Sequence, residues 1–157
     1  MHLRLASPAD AAAVLALYDS VKGQPGCLWD EDYPNADIIA YDLAHDGLYL
    51  LEEEGALLGA ASVIREAVLD DLPFWTASAL PTVEIARIVI APGHQGKGLA
   101  KAMLRLLFAH LPDVRAVRLL AGPENPAACR TYSALGFREM GRCFRYGHDY
   151  IAMELLL

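Results

Sequence analysis

The residues best placed to do chemistry lie in GHQGKGLA, Gly93 to Ala100, between the apolar run VEIARIVIAP and a helical run. The first N–H groups of a helix have no partner inside it, and a glycine-rich entry lets an anion come close to them. A phosphate site is therefore the natural reading. Two familiar phosphate loops do not fit. A Walker loop needs four residues between its first glycine and a Gly-Lys pair followed by Ser or Thr. Here Gly93 stands three positions before Gly96-Lys97, and Gly98 follows. A GxGxxG dinucleotide turn would need a third glycine where Lys101 stands, and would sit on the first strand of its unit, not the fourth. Glu84 is the second candidate. A carboxylate inside VEIARIVI is costly unless it has work or a partner.

A third template matches. Gln95, Gly98 and Ala100 fit Gln/Arg-x-x-Gly-x-Gly/Ala, and the chain resembles the GNAT superfamily of acyl-CoA-dependent N-acyltransferases, in which this loop holds the CoA pyrophosphate. Downstream, NPAACRTYSALGF resembles the superfamily's Asn-x-x-Ala-x-x-x-Tyr-x-x-x-Gly-Phe through Asn125, Ala128, Tyr132, Gly136 and Phe137. Glu84 precedes Gln95 by 11 positions, the spacing of a general-base glutamate in the histone-acetyltransferase-like branch. The resemblance implies that the pantetheine arm lies along Ile88, Val89 and Ile90, with a β-bulge there splaying the sheet. It implies pyrophosphate contacts from Gln95, Gly96, Lys97, Gly98, Leu99 and Ala100. Asn125 and Ala128 would support the cofactor side, and Tyr132 would stand near the CoA sulfur. Lys97, Lys101 and Arg105 recur every four residues as a basic edge on an acidic chain.

The implied reaction is transfer of an acetyl group from acetyl-CoA to a primary amine by direct attack in a ternary complex. A free alkyl ammonium has a pKa of about 10, so a base is needed near neutrality. Burial would raise Glu84 into the useful range. The alternative is a catalytically silent CoA-binding sensor module. The acceptor side is expected in GCLWDEDYPNAD, where Trp29, Asp30, Glu31, Asp32 and Tyr33 combine rings and carboxylates suited to a cationic amine. LDDLPFWTASALP has the same character. A solvated acidic loop anchored by one tryptophan is the plainer reading of the first of these segments.

Bulk properties agree with an enzyme of this kind. The chain has 157 residues, enough for one domain spanning 1–157. A net charge of -7 argues against general nucleic-acid binding. No apolar run approaches a membrane span, and MHLRLASPAD lacks a signal-peptide core. Cys27, Cys129 and Cys143 are odd in number and lack CxxC spacing, which suits a reducing cytoplasm. No His, Asp or Glu cluster has metal spacing, so no metal is expected. The apolar tail MELLL suits either a homodimer contact or an inner strand.

The elements that would position these residues read in the order βααβββαβαββ. This predicts an α/β (α+β) fold: a mixed, mostly antiparallel twisted sheet with helices on both faces. By the resemblance, strand splay in that sheet opens a CoA cleft. Ser7 and Pro8 start the first helix, with Ala11, Val14, Leu15, Tyr18 and Val21 as its apolar stripe. Asn35 caps the second and Gly47 stops it. A turn at Glu54-Gly55 joins two strands, and 68–81 is a loop. TVEIARIVIA is a central strand, apolar on both faces. The next helix places Leu99, Met103, Leu106, Leu107 and His110 at core spacing. Asn125, Pro126 and Gly136 bound the last helix, and a strand hairpin ends the chain.

Overall fold

The computed structural model describes residues 1–76 and 79–157. Its elements are β1 (His2–Leu5), a 3-10 turn (Pro8–Asp10), α1 (Ala11–Val21), α2 (Ala36–Ala44), β2 (Leu48–Glu53), β3 (Ala56–Ile64), β4 (Thr82–Ile90), a 3-10 turn (Pro92–His94), α3 (Leu99–Phe108), β5 (Ala116–Ala121), α4 (Pro126–Leu135), β6 (Arg138–Arg145) and β7 (His148–Leu156). The predicted order of helices and strands holds. The loop between β3 and β4 is described except at residues 77 and 78.

The seven strands form one sheet in the order β1-β2-β3-β4-β5-β7-β6. Every pairing is antiparallel except β4 with β5. The helices divide between its faces. Val14, Leu17, Tyr18 and Val21 of α1 and Ile39 of α2 pack with Leu48, Leu50, Ala60 and Val89. On the opposite face Met103, Leu104 and Leu107 of α3 and Tyr132 of α4 pack with Val83, Ile85, Val117 and Leu119. β4 thus supplies apolar side chains to both layers, as its composition predicts. The tail enters β7, an inner strand between β5 and β6, with Met153 buried and Leu156 exposed.

Several predicted details shift. Leu17, not Leu15, is the buried leucine of α1. In α3 Leu104 joins the expected Met103 and Leu107 in the core, whereas Leu106 is exposed. His110 lies past the helix end and is exposed, though its ring meets Tyr49 edge-on at 5.6 Å. A helix of three turns tilts its buried stripe toward whichever neighbour it meets, and spacing alone does not choose which of Leu15 and Leu17, or of Leu104 and Leu106, flanks that stripe. The left-handed turn after α2 falls on Asp46 (φ 50), not Gly47. Asn35 caps α2 as predicted, accepting from Ile38 N at 3.0 Å. Glu54 (φ 50) and Gly55 (φ 80) are both left-handed, as a two-residue hairpin turn requires.

Candidate active site

The centre of the sheet is where β4 and β5 part. They pair only through Thr82–Ala116, Val83–Val117 and Glu84–Arg118. Beyond Arg118, β5 stays paired with β7, and beyond Glu84, β4 stays paired with β3 across one shift of register. The β5-facing edge of β4 after Glu84 is therefore open, as the strand-splay expectation requires.

A bulge in β4 accompanies the separation. Ala86 pairs with Ser62 and Val89 with Ala60, so Arg87 and Ile88 together face Ala61. The extra residue reverses the alternation of side chains. Val83 and Ile85 before it, and Ile88 and Ile90 after it, all pack on the α3–α4 side. Arg87 opens the bulge with φ 51, in the left-handed region that a long side chain seldom occupies. Such a residue costs on the order of 1–3 kcal/mol. Its guanidinium goes to the α2 side. Nε donates to Asp42 Oδ2 at 2.9 Å and Nη2 to Asp42 Oδ1 at 2.6 Å. Nη1 donates to the Tyr33 hydroxyl at 3.0 Å. The Ser62 hydroxyl donates to Asp42 Oδ2 at 2.7 Å, which leaves the carboxylate well satisfied.

Glu84 is half-buried, and burial pushes its carboxyl up to about 7, against a downward pull from Arg87 and Arg145. Arg118, directly across the strand pair, does not neutralise it. That guanidinium donates to Glu154 at 3.0 Å and to Asp70 at 2.9 Å, and it lies 4.8 Å from the Trp75 ring centre. A cavity of about 10 Å³ lies among Glu84, Arg118, Asp70, Thr82 and Glu66. That is roughly the room a single water needs. An open depression of about 490 Å³ adjoins it, bordered by Arg65, Asp70, Leu80 and Thr82. Arg145 pairs with Asp71 and donates to Val68 O at 3.0 Å, so two arginines clamp the β3–β4 loop over the sheet.

The glycine loop has the predicted form with one change. The helix begins at Leu99, so Lys97 precedes it and only Lys101 and Arg105 share its flank. Lys97 Nζ instead donates to Gly93 O at 3.3 Å. Gly96 (φ 74) and Gly98 (φ 77) are left-handed, and a Cβ on either would meet open space. The glycines therefore serve the backbone path and leave the helix entrance uncovered, which fits a pyrophosphate. Gln95 Nε2 donates to Ile90 O at 3.0 Å and to Gln24 Oε1 at 3.3 Å, tying the loop to the end of β4.

Asn125 caps α4, its Oδ1 accepting from Ala128 N at 3.1 Å. Gly26 packs against this turn so closely that a Cβ would stand 2.8 Å from Glu124 O. The segment after α1 is thereby seated beside the start of α4. Tyr132 is buried, edge-on to Phe137 at 5.9 Å, and burial keeps its phenol protonated well above its ordinary range. Cys129 Sγ reaches Gly122 O at 3.7 Å, and burial raises its thiol.

On the expected acceptor side, Trp29 packs edge-on against the buried Tyr18 at 5.3 Å and acts as an anchor. Asp30 Oδ1 accepts from Asp32 N at 2.9 Å, forming a local turn. Asp30, Glu31 and Asp32 are exposed. Tyr33 is the member of this group that touches the β4 bulge, through Arg87. Sequence reasoning missed Arg87, Asp42, Arg118, Glu154 and Arg145. The signal was present: Arg87 in VEIARIVI and Arg118 in AVRLLA are, like Glu84, charges inside apolar runs, costly there without a partner.

Among the described residues no group of three metal-ligand side chains comes together, and no helix is long and apolar enough to cross a membrane.

Comparison with known proteins agrees with this geometry. Over 144 residues the chain is 29% identical to the L-amino acid N-acyltransferase MnaT of Escherichia coli, covering 87% of this chain and 79% of that protein. It is 28% identical to an L-methionine sulfoximine/L-methionine sulfone acetyltransferase of Salmonella typhimurium, covering 87% and 80%. A GNAT-family acetyltransferase structure from Streptococcus agalactiae superposes with a TM-score of 0.87 at 22% identity, over 99% of this chain and 95% of that one. The yncA structure from Salmonella typhimurium, described as a putative acetyltransferase with its cofactor acetyl-CoA, gives 0.73 at 25% identity, over 99% and 93%. Residues 14–137 match the sequence model of the Acetyltransferase (GNAT) family, and the chain belongs to that family of acyl-CoA-dependent N-acetyltransferases.

Proposed function

We propose that residues 1–157 act as one N-acetyltransferase domain that moves an acetyl group from acetyl-CoA to a primary amine, with Glu84 as general base. The observation that supports this best is the Glu84 carboxyl, half-buried where β4 and β5 separate and poised to titrate at about 7. Acetyl-CoA supplies an acyl thioester. Gln95, Gly96, Lys97, Gly98, Leu99 and Ala100 hold its pyrophosphate, and the open edge at Ile88, Val89 and Ile90 takes the pantetheine. Asn125 and Ala128 shape the far wall.

In this reading Glu84 takes a proton from the incoming ammonium, directly or through one water in the cavity beside it. Backbone N–H groups near Val89 and Ile90 polarise the thioester carbonyl. The Tyr132 phenol stays neutral, because burial disfavours its anion, and so remains a donor for the departing thiolate. The acceptor is a small or peptide-borne primary amine. Amino acids open the screen because two relatives are named for them. The test is free-thiol release from acetyl-CoA against amino acids, polyamines and peptides. Turnover with any of them supports the enzyme. Tight acetyl-CoA binding with no thiol release from the whole panel supports the silent binding module instead. The protein is expected in the cytoplasm, without nucleic-acid or membrane partners, and a homodimer is compatible with the exposed Leu156 and Leu157.

A further inference from the structure

Bulges whose first residue is left-handed ordinarily place glycine there. This chain places arginine, at φ 51, in the strand whose separation from β5 makes the slot. Something must hold that conformation against the backbone's preference. The guanidinium of Arg87 is bound at both ends of the Asp42 carboxylate, and Asp42 is 2% exposed. Asp42 is itself fixed by Ser62, the β3 residue paired with Ala86 just before the bulge. The clamp therefore spans α2, β3 and β4 around one backbone distortion. Its remaining nitrogen, Nη1, holds the hydroxyl of Tyr33 in the segment between α1 and α2.

We propose that Arg87 is a positioning residue: its ion pair with Asp42 keeps the β4 bulge in the left-handed conformation that leaves the Ile88–Ile90 edge open to the acetyl-CoA arm. The inference rests on the acetyl-CoA reading above. Without the bulge, alternation along β4 would carry Ile88 and Ile90 to the α1–α2 side and turn Arg87 into the α3–α4 core. The guanidinium neither needs to touch the cofactor nor the acceptor in this role.

The test separates the backbone effect from simple stabilisation. Both charges are removed together, so that neither is left buried alone. Asp42→Asn/Arg87→Gly gives the bulge a residue that adopts positive φ freely. Asp42→Asn/Arg87→Val gives it one that resists it. Acetyl-CoA affinity is read by calorimetry on the full chain, with folding checked by circular dichroism. The glycine variant should bind within about threefold of wild type and the valine variant about tenfold or more weakly, since small misplacements in a preformed site are costly. Should the valine variant fail to fold, Asp42→Asn/Arg87→Ala is read in the same way. Equal affinities for the glycine variant and its folded valine or alanine counterpart overturn this inference alone. A wild-type chain that does not bind acetyl-CoA overturns it together with the proposed activity.

Discussion

Glu84 and Arg118 are cross-strand partners at the last pair that joins β4 to β5, yet they form no ion pair. Arg118 is committed to Glu154 and Asp70. The consequence is a half-buried carboxylate with a buried cation across the strand pair and no salt bridge to it. Were Arg118 to turn toward it, Glu84 would drop into the ordinary carboxylate range and lose its proton affinity near neutrality. The Arg118–Glu154–Asp70 triad, with Trp75 over the guanidinium, keeps the Glu84 carboxyl unpaired as well as anchoring the β3–β4 loop.

This arrangement sets two pH dependences for Glu84. A base must be ionised to accept a proton, so kcat/KM should rise with pH through about 7 and level off above it. Glu84→Gln should cut kcat/KM by roughly 10²–10⁴-fold on the plateau and flatten that limb. Stability runs the other way. The folded carboxyl titrates above its unfolded value of 4.5, so the native state binds the extra proton between 4.5 and about 7, and stability falls as pH rises across that window. The loss is roughly 3 kcal/mol at most by the linkage relation. Glu84→Gln should therefore gain more thermal stability over wild type at pH 8 than at pH 4. An equal offset at both would show that the carboxyl is not held up by burial.

The loop prediction is best tested at Gln95. Gly98→Val would break the phosphate contact, but φ 77 makes valine strained there before any ligand arrives. Gln95 has an ordinary extended backbone (φ -68, ψ 159) and is exposed, so Gln95→Glu should keep the fold, although it gives up the amide's hydrogen bonds to Ile90 O and Gln24 Oε1 and its melting temperature without ligand is the reference for the shift. It puts a negative charge beside the helix entrance proposed for the pyrophosphate. Wild type at 100 times its Kd for acetyl-CoA should gain about 2.7 kcal/mol of stability, seen as a melting shift. Gln95→Glu should lose most of that shift. An undiminished shift would remove 95–100 from the binding site.

What the sequence revealed and what it concealed divide along physical lines. The caps at Asn35 and Asn125, the Glu54-Gly55 turn and the apolar two-faced β4 all follow from interactions within a few residues, and all were legible. The glycine loop was legible for the same reason. The Arg87–Asp42 and Arg118–Glu154 pairs join residues 45 and 36 positions apart, and no local pattern encodes them. The bulge was expected near Ile88 from the family resemblance. That an arginine would open it at positive φ was not readable, because its stabilisation comes from α2 and β3.

The Tyr132 ring packs in the α3–α4 core against Phe137, and its hydroxyl is the group proposed to meet the departing thiolate. Tyr132→Phe keeps the ring and should leave the melting temperature nearly unchanged. Loss of a donor to the departing thiolate should lower kcat by roughly 10²–10³-fold with little effect on acetyl-CoA affinity. A collapse of the melting temperature with kcat intact would assign the hydroxyl to folding alone.

The acceptor wall gives the last prediction. Trp29 is spent as an anchor on Tyr18, so any cation–π contact with an amine must come from elsewhere. Tyr33, whose hydroxyl accepts from Arg87 Nη1, and Tyr146, 70% exposed on the β6–β7 turn with the Arg145 guanidinium 6.0 Å from its ring centre, are two exposed rings, and Tyr146 lies within electrostatic reach of Glu84. The carboxylates of Asp30, Glu31 and Asp32 remain exposed and could draw a cationic amine toward those rings. Replacing them with Asn, Gln and Asn keeps the Asp30 turn, since an amide oxygen can still accept from the N–H of residue 32. Once an active amine is known, the triple variant should raise its KM by roughly 3–10-fold at low salt, less at high salt, while the KM for acetyl-CoA stays fixed. Tyr146→Ala should add a further loss for a cationic acceptor, of about the size of one exposed cation–π contact, roughly 0.5–1 kcal/mol. A salt-independent KM that neither change moves would place the acceptor's charge outside this wall and leave the 30–33 segment as a solvated loop.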